Sequence, residues 1–309
     1  MPFMRNWVWA LCLVAGIGVL CMSCQGNNFP NQAVIDKIEN TPIEYPFSFV
    51  MMGDTRPPGL ANFAILRSQI LELDPAPVFT IDIGDLVSQG LMIEYAYYLG
   101  SIEPFPLPLV SVIGNHELYA AQGHENYAKL FGDEDFYFDY ANCRFIALND
   151  SNPGNYGVTD DQLAWLEDLL DDASPPDKFT FMHVPVPFKE LIDGSPRADE
   201  ILAGSTADSN WSQFKNLVEA YGVRIAAFGH IHDYRHMERS GVHYVVTGGG
   251  GAELEGPVTD NPPDYGIFHH FTNVTISADG NSRAEIIKKG EGTTPDDRYT
   301  IAFETTVID

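Results

Sequence analysis

Residues 47–85 read FSFVMMGDTRPPGLANFAILRSQILELDPAPVFTIDIGD. FSFVMMGD (47–54) is an apolar run that ends in Asp54. APVFTIDIGD (76–85) is a second such run, ending in Asp85. Both have the length and β-branched or aromatic content of buried strands. Between them, NFAILRSQILEL (62–73) reads as a helix, with Phe63, Ile65, Leu66, Ile70, Leu71 and Leu73 crowding one side. The stretch is therefore strand–helix–strand, with an acid just past each strand.

The same arrangement continues along the chain. LPLVSVIGNHE (107–117) is a third strand, ending at Asn115 and His116. FYFDYANCRFIALND (136–150) reads as a hairpin turning at Ala141–Asn142. TDDQLAWLEDLLDDA (159–173) is a helix; Thr159 and Gln162 have capping-box spacing, and Leu163, Leu166 and Leu170 form its apolar stripe. KFTFMHV (178–184) is a strand delivering His183. A helix around SNWSQFKNLVEAYG (209–222) precedes the strand VRIAAFGH (223–230). Strand-rich segments follow: YVVTGG (244–249), HHFTNVTIS (269–277) and RAEIIKK (283–289). Strands alternating with helices, then a run of strands, predict an α/β sandwich of mixed sheets. The loop from Pro185 to Asn210 is long and rich in Pro, Gly and Ser, a length that goes with function or disorder.

FGHIHDY (228–234) holds two histidines at i and i+2. In an extended segment these point to the same side, so His230 and His232 can aim at one metal ion. Two surface histidines beside a turn are the competing reading. The apolar strands as a set end in Asp54, Asp85, Asn115, His183, and His230 with His232. In α/β sheets, sites collect outside the carboxyl ends of the strands. Six O and N donors converging there make a site for two divalent cations, with one carboxylate able to bridge both.

The 309 residues, 45% hydrophobic and 12% aromatic, suffice for a sizeable core in one large domain or two small ones. The N-terminus, MPFMRNWVWALCLVAGIGVLCMSC (1–24), places Arg5 before an apolar run from Trp7 to Met22. This is a secretory signal pattern; an uncleaved anchor helix is the competing reading, and the run is short for spanning a bilayer. It resembles a bacterial lipoprotein signal with Cys24 as the lipidated first residue of the mature chain, although Cys21 stands where such signals usually have Leu. Residues 1–23 are then the signal peptide and 24–44, polar and Pro/Asn-rich, a tether. Cys12 and Cys21 would leave with the signal, and Cys143 would remain without a disulfide partner. The net charge is −26, and −27 from Cys24 onward, because residues 1–23 hold one Arg and no acid. Such a surface repels nucleic-acid backbones and anionic lipid, so tracking along nucleic acid is not expected. Small anions bind if metals supply local positive charge.

GDTR (53–56), GDLVSQG (84–90), GNHE (114–117), MHVP (182–185) and GHIH (229–232), in that order and each after an apolar strand, resemble the blocks of the calcineurin-like metallophosphoesterases. YVVTGGGGAE (244–253) is similar to the Gly-rich segment of many members, purple-acid-phosphatase relatives among them. The resemblance covers roughly Tyr45 to Gly290, leaving 291–309 as a C-terminal extension. It implies a four-layer α/β/β/α sandwich with two mixed sheets. It implies phosphoester hydrolysis at a dinuclear centre of Mn, Fe, Zn or Co, where a metal-bridging hydroxide attacks phosphorus in line. Asp85 looks like the bridging carboxylate, Asp54 and His232 like ligands of a first metal, and Asn115, His183 and His230 like ligands of a second. His116 looks like the acid that protonates the leaving oxygen, with Glu117 orienting it.

Two positions depart from the pattern. Arg56 stands where most members carry a first-metal histidine, and a guanidinium cannot bind a metal. Ser88 stands where purple acid phosphatases place a ligand tyrosine. Both predict a first metal held weakly, or absent without substrate. Arg56 reads either as a bidentate grip on a phosphate oxygen or as an ion-pair partner of an acid, and the grip is favoured because Arg56 must emerge beside Asp54.

His124, His236, His243, His269 and His270 match no block and read as surface or packing residues. The glycines 248–251 read as a tight turn rather than a phosphate cradle. The reading is thus an exported metallophosphoesterase, periplasmic, extracellular or lipid-anchored in the cell envelope, acting on a small phosphorylated substrate and touching membrane only through its lipid. A phosphate-binding surface lipoprotein of weakened turnover is the first rival. A metallo-β-lactamase-like hydrolase is the second, and its clustered H-x-H-x-D-H is absent.

Overall fold

Two β-sheets pack face to face, with helices on both outer faces. The structure, a computed structural model, describes residues 30–205, 210–261, 264–290 and 298–303. The signal segment and Cys24 lie outside the described residues.

The chain runs α1 (Asn31–Glu39), β1 (Phe47–Met52), α2 (Leu60–Ile70), β2 (Phe79–Ile83), α3 (Met92–Ile102), β3 (Leu109–Val112) and α4 (Gly123–Leu130). A hairpin follows, β4 (Phe136–Tyr140) with β5 (Cys143–Ala147), then α5 (Asp160–Asp171) and β6 (Asp177–Phe181). The long loop carries short helices α6 (Lys189–Ile192) and α7 (Ala198–Gly204) and leads to α8 (Trp211–Ala220) and β7 (Ile225–Phe228). The rest is strands: β8 (Tyr234–Arg239), β9 (Val242–Thr247), β10 (Thr259–Asn261), β11 (Tyr265–Ile267), β12 (His270–Ile276), β13 (Ser282–Lys288) and β14 (Arg298–Phe303). One sheet has the order β14-β13-β12-β1-β2-β3, and the other β10-β11-β8-β9-β7-β6-β5-β4. Strands β1, β2 and β3 are parallel, as are β5, β6, β7 and β9, while the outer strands pair antiparallel. The predicted four-layer sandwich of mixed sheets is the observed one.

The period-2 side-chain alternation sorts each central strand between two cores. On β1, Phe47, Phe49 and Met51 enter the core between the sheets, while Val50 and Met52 face α2, α3 and α4. On β7, Ile225 and Ala227 face inward and Ala226 and Phe228 face α5 and α8. Every residue of both strands is buried, because both faces are covered, so these strands read as continuous apolar runs. Aromatic rings interlock the sheets: Phe49 lies edge-on to Phe145 and Phe179 and stacks on Phe79. Fully buried phenylalanines cost about 3–5 kcal/mol each when cut to alanine. In α5 the Thr159–Gln162 capping box forms as its spacing predicts.

Two boundaries differ from the sequence reading. Residues 31–39, expected within a tether, are helical; Val34, Ile35 and Ile38 enter the inter-sheet core, and the Asn31 amide bonds the backbone of Ser111 in both directions. Residues 298–303, expected within a C-terminal extension, pair with β13 at the edge of the first sheet. In both cases the ordering comes from long-range contacts, which local composition does not carry.

Candidate metal centre

The parallel strands of both sheets deliver their carboxyl ends to one edge. β1 ends at Gly53-Asp54, β2 at Gly84-Asp85, β3 at Gly114-Asn115, β6 at Met182-His183, and β7 at Gly229-His230-Ile231-His232. All six donor residues predicted from the sequence are buried at this edge. Asp54, Asp85 and His183 each bring one donor atom within 4.8 Å of the other two.

Tight turns make the convergence possible. Asp54, Asp85 and His230 adopt left-handed backbone conformations, φ 62°, 58° and 66°, which non-glycine residues rarely occupy. A Cβ on Gly84 would lie 2.8 Å from the His183 ring, and one on Gly229 would lie 2.7 Å from the Asp54 carboxylate. At these two positions only glycine lets the backbone pass so close to a buried donor side chain.

The donors fall into two groups. Asn115 Oδ1 lies 3.1 Å from His183 Nε2 and 3.0 Å from His230 Nδ1, and Asp85 Oδ1 is 3.2 Å from His183 Nε2. Asp54 Oδ1 and His232 Nε2 form the other group, 3.3 Å apart. Ligand atoms bonded at about 2.1 Å to one ion stand roughly 3.0–3.4 Å from one another, so these spacings fit coordination spheres.

The partners on the far side of each ligand make the same point. His183 Nδ1 donates to the Ile83 carbonyl at 2.8 Å and His232 Nδ1 to the Glu253 carbonyl at 2.5 Å. Each ring therefore turns the Nε2 lone pair inward, as metal-ligating histidines do. Asn115 Nδ2 donates to the Tyr119 hydroxyl at 2.7 Å, which leaves Oδ1 facing the centre. With Nδ1 donating outward, a neutral His183 meets Asn115 Oδ1 lone pair to lone pair at 3.1 Å, and either a proton on Nε2 or a cation between them makes the contact attractive. Asp54 Oδ1 and His232 Nε2 are buried without a hydrogen-bond partner. Electrostatics ask for positive charge too. Burial works against a charged His183, yet Asp85 and Asp54 hold its pKa up at about 10. Burial pushes the Asp85 carboxyl up, and His183, His116 and Arg56 outweigh it, keeping it well below the usual range. The residues present therefore fit a metal ion, best in the group around Asn115.

His116 sits at the rim of this group. Its Nδ1 donates to the Ser88 carbonyl at 2.7 Å, and its Nε2 is 3.6 Å from Asp85 Oδ2. Glu117, expected to orient His116, does something else. Its carboxylate accepts the backbone N–H groups of Asp85, Val87 and Gly114 at 2.7–3.0 Å, tying the turn after β2 to the turn after β3. Burial, then the nearby Asp85, pushes its pKa up to about 8. Ser88, a non-ligand by the sequence reading, orients His116 through its carbonyl instead. Arg56 places Nε 3.4 Å from Asp85 Oδ2, beside the centre.

Several functional neighbours carry no local sequence signal. Asp150, past the end of β5, accepts the N–H groups of His183 and Val184 and so fixes the turn that presents His183. Arg197, in the long loop, pairs with Glu255 at 2.8 Å and Glu200 at 3.1 Å. Glu200 accepts from the Tyr156 hydroxyl and comes within 4.0 Å of His230 Nε2. A cavity of about 590 Å³ opens over the centre, lined by Arg56, Arg197, His232, Glu253 and Glu255.

The remaining histidines have partners of their own. His124 pairs with Glu134, His236 with His243, His269 with Asn62, and His270 with Thr247. The glycine run 248–251 packs against the end of β1. The N–H groups of Gly248, Gly250 and Ala252 are committed to Asp233, Gly53 and Asp54, so this segment is packing.

The family model described as calcineurin-like phosphoesterase matches residues 47–234. No curated protein matches the sequence. Among solved structures, the purple acid phosphatase PPD1 from seeds of yellow lupin (Lupinus luteus) is similar with a TM-score of 0.66 and 19% identity, over 84% of this chain and 54% of that one. GAP50, the anchor in the inner membrane complex of Plasmodium, is similar with a TM-score of 0.59 and 11% identity, over 84% of this chain and 89% of that one. Likeness at these identities is one of fold. This chain spans about half the length of the lupin phosphatase.

Proposed function

From the premise that the chain belongs to the calcineurin-like phosphoesterases, we propose that it is a metal-dependent hydrolase of small phosphoesters. The observation that supports this reading is the set of buried donors from five strand ends, in which His183 and His232 donate outward from Nδ1 and Asp54 Oδ1 and His232 Nε2 have no hydrogen-bond partner. Mixed Asp, Asn and His ligands suit Mn, Fe, Zn or Co. An ion bound there supplies Lewis-acid polarisation of the phosphoryl oxygens and acidifies a water.

The chain's own residues supply the rest. Asp85, Asn115, His183 and His230 would hold the ion. His116, with Nδ1 fixed on the Ser88 carbonyl, keeps Nε2 free to carry a proton to the departing alkoxide. Arg56 lines the cavity and offers N–H donors to a phosphate oxygen while its Nε faces Asp85. A protein that only bound phosphate would have no use for His116 in this place.

The test is hydrolysis of a panel of mono- and diesters by protein stripped of metal and then reloaded with each of the four metals in turn. Hydrolysis that depends on metal and is lost on chelation is expected. Absence of turnover with every metal and every ester would overturn the reading. We also read the chain as exported and held at a membrane by lipid on Cys24. Mass spectrometry of the mature protein should find a lipidated N-terminal Cys24, and an unmodified peptide spanning residues 15–30 would refute it.

A further inference from the structure

We propose that Arg56 is the built-in cation of one half of the centre, so that the protein carries a single metal ion, in the half made by Asp85, Asn115, His183 and His230. The proposal rests on the metal-dependent reading above and concerns how many ions that site takes.

The two halves are unequal. The Asn115 half has four donors: Asp85 Oδ1, Asn115 Oδ1, His183 Nε2 and His230 Nδ1, with 3.0–3.2 Å between neighbours. The other half is left with Asp54 Oδ1, His232 Nε2 and Asp85 Oδ2. Asp54 Oδ2 accepts the His230 backbone N–H at 2.8 Å, which turns Oδ1 rather than Oδ2 toward His232. Asp85 Oδ2 faces the Arg56 Nε at 3.4 Å, a charge contact in which the Nε makes no hydrogen bond. A guanidinium keeps its proton at any pH the protein survives.

Arg56 is not a loose surface residue. Its side chain is 16% exposed and that of Asp85 is 2% exposed, so solvent screens the pair poorly. Its backbone is fixed at both ends: its N–H donates to the Asp85 carbonyl at 3.0 Å, and its carbonyl accepts from Gly59 at 2.9 Å. The preceding Thr55 hydroxyl is bonded to the buried Asp82 at 2.7 Å. The segment therefore holds the guanidinium root against Asp85. A divalent ion entering this half would meet a fixed like charge a few ångströms away, which weakens its binding by on the order of 10²-fold or more. The guanidinium supplies instead what an ion would have given: neutralisation of Asp85 Oδ2 and directional N–H donors toward a phosphate oxygen.

Metal stoichiometry tests this without relying on turnover. Protein stripped of metal and reloaded with excess Mn²⁺ is analysed for bound metal after desalting and by electron paramagnetic resonance, which separates an isolated ion from an exchange-coupled pair. Wild type is expected to retain one ion with an isolated-ion spectrum. Arg56→His removes the charge and adds a ligand, and is expected to retain two coupled ions. Arg56→Lys keeps the charge and is expected to stay at one. Circular dichroism confirms that each variant is folded. Two coupled ions in wild type would overturn the proposal while leaving the phosphoesterase reading intact. One ion in folded Arg56→His would also overturn it, because the guanidinium would then not be what excludes the second. Failure of wild type to bind any metal would overturn both readings together.

Discussion

Asp85 is the residue on which both halves of the centre depend, and its two oxygens have separate neighbours. Oδ1 accepts the His116 N–H at 3.0 Å and faces His183, while Oδ2 faces Arg56 and His116. Asp85→Asn keeps the shape and removes the charge. It should reduce hydrolysis by about 10³-fold or more and release the metal, with an unchanged circular-dichroism spectrum; retained metal and full turnover would show that the ion sits elsewhere. On the proposed function His116 acts differently, as the proton donor to the leaving group. General acid catalysis is worth about 10²–10⁴-fold when the leaving group needs a proton. His116→Ala should therefore lose that much on an alkyl phosphate and far less on an activated aryl phosphate. Equal losses on both esters would assign His116 to binding instead.

At the scale of elements, the two sheets are joined by polar contacts as well as by rings. On β12, His270 Nε2 lies 3.1 Å from the Thr247 hydroxyl of β9, which in turn meets the Thr272 hydroxyl at 3.1 Å. His270 Nδ1 donates to the Phe268 carbonyl, and the rings of Tyr234 and Phe268 enclose it. Burial pushes its pKa down to about 4, from an ordinary value near 6.5. Between these values the unfolded chain binds the proton and the folded chain does not. The stability linked to His270 is thus fully present above about pH 6.5 and is lost as pH falls toward 4, on the order of 3 kcal/mol in all. Urea titrations from pH 7.5 to 4 should show this loss, and His270→Gln should flatten that acid limb. An unchanged slope in the variant would place the acid sensitivity in other groups. The elements also show what the sequence could tell. Asp54, Asp85, Asn115, His183, His230 and His232 were legible because each follows an apolar strand within a few residues, so strand direction alone carries them to one edge. Asp150, Glu200 and Arg197 were not, since their roles arise from contacts such as Asp150 to the His183 N–H or Arg197 to Glu255, between segments distant in sequence. Glu117 stands beside His116 in the sequence, but what it holds is backbone from two separate turns. The helix α1 was hidden for a similar reason, because its polar composition conceals three apolar residues that need the open end of the sandwich to become buried.

Taken whole, the molecule carries a net charge of −26, and on the proposed function an anionic ester must cross that field to reach a cavity lined by Arg56 and Arg197. The Debye length shrinks from about 30 Å at 0.01 M salt to about 8 Å at 0.15 M. Long-range repulsion is screened over that range, while contacts inside the cavity are affected much less. The kcat/KM for a dianionic ester should therefore rise about two- to fivefold between those salt concentrations; a fall would mean that the local arginines dominate the approach. The left-handed turns at Asp54, Asp85 and His230 have a consequence on another axis, that of time. Backbone of this kind stores roughly 1–3 kcal/mol per residue and persists only where its surroundings hold it. With the ion gone, the same turns also crowd the charges of Asp54 and Asp85. Chelation should then loosen these three turns before any strand, and amide hydrogen exchange at residues 53–55, 84–86 and 229–231 should quicken by about 10- to 100-fold while the middles of β1, β2 and β7 keep their protection. The bound ion would in that case act as a latch on local opening, closing the edge of the sandwich where the two sheets present their strand ends.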